Sequence, residues 1–116
     1  MTNKSKIIWD LVKEHGHRIF NPQETITQLR HFGGAGGVMS WGFRSPMNLD
    51  NRGLQFKVNG HHHSGDVLIT LDGSDTYTVF IINNRGRVLD TFEGVYFDDL
   101  FTIIDNRIER IAEYVR

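Results

Sequence analysis

Cysteine is absent from these 116 residues, which removes disulfide frameworks, cysteine-ligated zinc and thiol nucleophiles as explanations of the chain. A cysteine-free chain is also compatible with a reducing compartment. Proline is nearly absent, with two residues in all, so Pro22 and Pro46 each have positional meaning. No apolar run approaches the roughly twenty residues of a membrane span, or the shorter core of a secretory signal. The expectation is therefore a cytoplasmic chain with no membrane partner. Also missing are a nucleophile elbow, an ordered Ser/His/Asp set with supporting motif, a zinc ribbon and an RNA-recognition signature. Those absences lean away from an enzyme and give no reason to expect a cofactor.

What is present fits one α+β domain spanning residues 1–116: 39% of residues are apolar and 23% charged, the ordinary globular profile. A chain of this size buries about two-thirds of the surface that its unfolded form exposes, so it needs no metal or disulfide to be stable. The net charge of −1 conceals an asymmetry. Residues 1–60 carry eight Lys/Arg and four Asp/Glu, while residues 61–116 carry five and ten. All six histidines lie between His15 and His63. Such a dipolar chain offers a basic side to a polyanion or an acidic protein, unless the two halves simply attract each other across the fold.

Along the chain, Ile7, Ile8, Leu11, Val12 and His15 recur at helical spacing, with Ser5 as cap and Gly16 as stop. Trp9 falls off that stripe. Asn21-Pro22-Gln23-Glu24 opens a second helix with Ile26, Leu29 and Phe32 inward, ending at Gly33. The run Gly33-Gly34-Ala35-Gly36-Gly37 lacks the strand-to-helix context and the Gly-Lys-Ser/Thr ending of a phosphate loop, and reads as a hinge. Val38 to Arg44 alternates as a strand, placing Met39, Trp41 and Phe43 on one side, and Ser45 to Gly53 reads as loop.

The centre of organisation is Leu54 to Phe97, an antiparallel meander of strands at Leu54–Asn59, Val67–Leu71, Thr76–Asn83 and Val88–Phe92 separated by turn signals. Phe97, Leu100, Phe101, Ile104, Ile108, Ile111 and Val115 then predict a long C-terminal helix. Asp98 and Asp99 in its first turn complement the helix dipole, and as adjacent residues they diverge too far to share one ligand. The expected fold is a four- or five-stranded antiparallel meander, with two N-terminal helices and a long C-terminal helix packed mainly on one face.

Two constellations carry chemistry. His61-His62-His63 lies in a strand connection, where His61 and His63 point the same way in extended backbone. With Asp66, or one of His15, His17 and His31, they are weak metal-ligand candidates; solvated loop histidines explain them equally well. Arg30, His31, Trp41, Arg44 and Arg52 surround the glycine run, and cations interleaved with an aromatic are the means of reading single-stranded nucleic acid. The bland alternative is a core tryptophan among ordinary surface arginines.

Gly94-Val95-Tyr96-Phe97-Asp98-Asp99-Leu100, following Asp72-Gly73-Ser74-Asp75-Thr76-Tyr77, resembles small uncharacterised α+β proteins of phages and bacterial mobile elements over Leu54 to Asp105. The resemblance implies an accessory protein that acts by binding and transfers no functional residue. Three expectations stand in order: a protein-binding accessory factor, a nucleic-acid module using the basic and aromatic loop, and a small metal-dependent enzyme using His61 to His63. Nothing in the pattern fixes an oligomeric state.

Overall fold

The computed structural model describes residues 3–34, 37–60 and 62–108. Five strands, β1 (Arg44–Asn48), β2 (Leu54–Asn59), β3 (Ser64–Leu71), β4 (Tyr77–Ile82) and β5 (Val88–Val95), form one sheet in chain order, each antiparallel to the next. Helices α1 (Asn3–His15) and α2 (Pro22–Gly33) precede it and α3 (Leu100–Ile108) follows.

The layering follows from strand periodicity. β3 and β4 are apolar on both faces and lie centrally, so both faces need cover. On one face Phe56, Val58, Val67, Ile69, Val79 and Ile81 meet Ile26 and Leu29 of α2 and Leu100, Ile104 and Ile108 of α3. On the other, Leu68, Phe80 and Ile82 meet Ile8 and Val12 of α1, with Leu49 from the β1–β2 turn. Helices therefore cover both faces, two on one side and one on the other. His15 completes the α1 layer, its ring centroid 4.9 Å from that of Phe80.

Local chemistry sets the helix ends. The Asn21 side chain accepts the Gln23 N–H at 2.9 Å, and Pro22 takes a first-turn position where no N–H is needed. Ser5 lies inside α1 rather than capping it, because the helix already runs from Asn3. α3 has nine described residues, starting at Leu100, and Phe97 to Asp99 form the turn before it. The expected stripe positions Ile111 and Val115 lie outside the described residues.

The largest departure from expectation is at residues 38–48. Val38 to Phe43 is not a strand: Met39–Trp41 is a 3-10 turn that ends at left-handed Gly42. In a 3-10 turn residues three apart eclipse, so Val38 and Trp41 enter the core together while Met39 projects outward. The strand instead begins at Arg44 and runs on through Asn48, in the stretch that reads as loop. Pro46 is tolerated there because β1 is an edge.

Candidate functional site

The five basic and aromatic candidates do not form one surface. Trp41 is 0% exposed. Its indole stacks on Phe101 at 5.0 Å and on Phe56 at 6.3 Å, and its N–H donates to Asp105 Oδ1 at 2.9 Å. It is a core residue joining β2 to α3, with no face left for a ligand. Arg30 and His31 lie exposed on α2, while Arg44 and Arg52 belong to the hairpin of β1 and β2, at opposite ends of β1. Arg52 is held in place by donating to Gly16 O at 3.2 Å.

The metal candidates are dispersed as well. His61 lies outside the described residues. His63 is buried, its Nε2 3.3 Å from the Asp66 backbone oxygen. Burial lowers its pKa below the ordinary 6.5, and the nearby Arg107 charge adds to that, against the opposing hydrogen bonds to the Asp66 and Ile82 backbone. The Asp66 carboxylate is fully buried with both oxygens engaged, one by Lys4 Nζ at 2.7 Å and the other by Gln55 Nε2 at 3.1 Å. It serves as an ionic latch between β3 and α1. Among the described residues no three ligating side chains converge. Asp98 and Asp99 are exposed just ahead of α3, where the Asp99 backbone oxygen accepts the Ile103 N–H at 3.0 Å.

Among the described residues two surface features stand out, both built from aromatics that periodicity alone treats as packing. The first is a ridge where α2 meets α3. A Cβ on Gly33 would lie 2.4 Å from the Phe101 ring, so glycine there lets α3 close onto the end of α2. That approach brings Phe97 over Phe32, with ring centroids 5.9 Å apart and the planes crossing at 63°. His31 adds an edge contact to Phe32 at 5.0 Å. The two phenyl rings stay 41% and 51% exposed. Arg30 lies exposed on α2, and Asp98 and Asp99 lie exposed in the turn that carries Phe97.

The second is a hollow of about 360 Å³ between the end of α1 and the β1–β2 turn, with Trp9, Lys13, Gly16, His17, Asp50 and Arg52 in its walls. The opposite flank of α1 rests on the β4–β5 turn, where Gly86 lies under Lys4 and Ile7. Trp9 consequently overhangs the sheet's β1 side. Gly16 is required at this corner, since a Cβ would meet Val12 O at 2.6 Å and Arg52 O at 2.7 Å.

Comparison with protein-family models, with curated proteins and with solved structures finds no match for this chain.

Proposed function

We propose that the chain is a non-enzymatic binding module that acts through protein–protein contact, with the ridge of His31, Phe32 and Phe97 at the centre of its interface. One observation carries the reading: two phenyl rings from different elements lie in edge contact with each other while each remains about half exposed. Exposed apolar side chains are ordinary when scattered, but a contiguous aromatic cluster has the anatomy of an interface, where a few aromatic anchors supply most of the binding energy. An accessory role in a bacterial cytoplasm, as in the phage and mobile-element proteins that the C-terminal half resembles, belongs to the same proposal. The metal-dependent reading gains no support, because Asp66 would have to leave Lys4 and Gln55 to serve a cation.

The test is affinity capture from a lysate of the source cells with the wild type and with Phe32→Ala/Phe97→Ala. The ridge variant should keep its thermal midpoint within a few degrees and lose the protein that the wild type retains. Equal capture by a folded ridge variant would overturn the assignment.

A further inference from the structure

We propose that the hollow beside Trp9 is a binding site for a nucleotide unit, with its planar base against the indole and its phosphate against Lys13, His17 and Arg52. The site is separate from the aromatic ridge and does not depend on that reading. Its size fits: about 360 Å³ is at the small end of ligand pockets and admits one base with its sugar and phosphate. Further up α1 the same indole borders an open stretch of helix surface beside Ser5, Lys6, Asp10 and Lys13. Trp9 and Lys13 border both the hollow and that stretch. This arrangement suits a ligand that stacks on the ring and runs past the ammonium.

Charge selects an anion. Lys6 and Asp10 neutralise each other at 3.0 Å. Lys13 has no carboxylate partner among the described residues. The Arg52 guanidinium uses one N–H on Gly16 O and has four left for phosphate oxygens, in a fork already fixed in place. Asp50 alone opposes these cations within the hollow. The indole, 43% exposed, supplies stacking that tolerates any base, as in single-strand binders. A buried tryptophan cannot do this, which is why the role falls to Trp9 and not to Trp41.

Trp9 also reports on its own site, because Trp41 is sealed in the core and gives a constant background. The wild type is titrated with a twelve-residue oligothymidylate and separately with adenosine monophosphate, following indole emission. Quenching by either supports the site. Quenching by the monophosphate at comparable affinity assigns a free nucleotide, whereas quenching by the oligomer alone assigns a strand. With two or three phosphate contacts, oligomer affinity should fall about tenfold between roughly 50 and 200 mM salt. Trp9→Ala, read by oligomer anisotropy, should weaken binding roughly fivefold or more, and Lys13→Glu by a similar factor, both at unchanged thermal midpoint. Arg85→Glu/Arg87→Glu on the far β4–β5 turn should leave binding unchanged. No quenching by either probe, full binding by Trp9→Ala, or equal weakening by the Arg85/Arg87 variant would each overturn the proposal.

Discussion

Lys4 and Asp66 provide the sharpest test of how α1 is held to the sheet. The Asp66 side chain is 0% exposed and the Lys4 side chain 19%, with Nζ and Oδ2 2.7 Å apart. Lys4→Met would strand a buried carboxylate with only Gln55 as donor. Removing one partner of a buried pair costs roughly 3–5 kcal/mol, which for a chain of this size lowers the melting temperature by about 10–20 °C. Asp66→Leu should cost less, about 1–3 kcal/mol, because Lys4 has a flexible stem that reaches water and Gln55 is only half-buried. The double variant Lys4→Met/Asp66→Leu should return to within about 1–2 kcal/mol of the wild type, since an apolar pair of similar volume replaces the ion pair. Urea unfolding at neutral pH measures all four corners of the cycle, provided the slope of free energy against urea stays constant. Costs that simply add in the double variant would show that the two charges do not meet, and with that the docking of α1 over β3 would fail.

Ile104→Ala and Val79→Ala, both in the α2–α3 layer, should each cost about 2–4 kcal/mol by cavity formation, and unchanged urea midpoints would refute the assignment of that face. Gly33→Ala should destabilise by about 1–3 kcal/mol despite alanine's better helix propensity, because its Cβ would press on Phe101; a stabilised variant would mean that α2 and α3 are not closed there. For His63, a folded-state pKa depressed by burial means that the unfolded chain takes up the proton first as pH falls below about 6.5. Stability should thus decline as pH drops through that window, and His63→Phe should flatten the slope between about pH 7.5 and 5.5; identical slopes would place the imidazole in solvent.

Much of the sheet was legible because its signals are local. Phe56 and Val58 alternate with polar neighbours, the turns carry Asn, Asp and Gly, and the two-faced apolarity of β3 and β4 marks them as central. The first strand was not legible, because Met39, Trp41 and Phe43 fit a period of two while Val38 and Trp41 fit the three-residue period of a 3-10 turn. Only the core contacts of Trp41 with Phe56 and Phe101 decide between them. The split of the helices between two faces was equally hidden, since an amphipathic stripe shows that a helix packs but not on which side. The candidate site suffered most from this. Arginines close in sequence were dispersed by the sheet, while Trp9 and Arg52, 43 positions apart, were brought to the walls of one hollow.

The edges of the sheet narrow the ways in which this chain can associate. An open edge strand normally offers its N–H and C=O groups to another chain, and proteins limit this with bulges, proline and charge. β1 uses the first two. Three steps from Arg44 to Met47 oppose two from Lys57 to Gln55, Ser45 adopts a left-handed backbone with φ 54°, and Pro46 has no N–H to donate. At the other edge β5 is irregular twice. Phe92 to Val95 takes three steps against two on β4, with Gly94 at φ 65°, and Val88 to Asp90 takes two against one. Asp90 and Glu93 add charge to the same strand. Neither edge presents the straight, regular ladder that strand addition requires. The proposed recognition therefore falls to side chains presented by helices and turns. That condition is met where α2 and the turn before α3 hold Phe32 and Phe97 in contact, and where α1 and the β1–β2 turn set Trp9 beside Lys13 and Arg52.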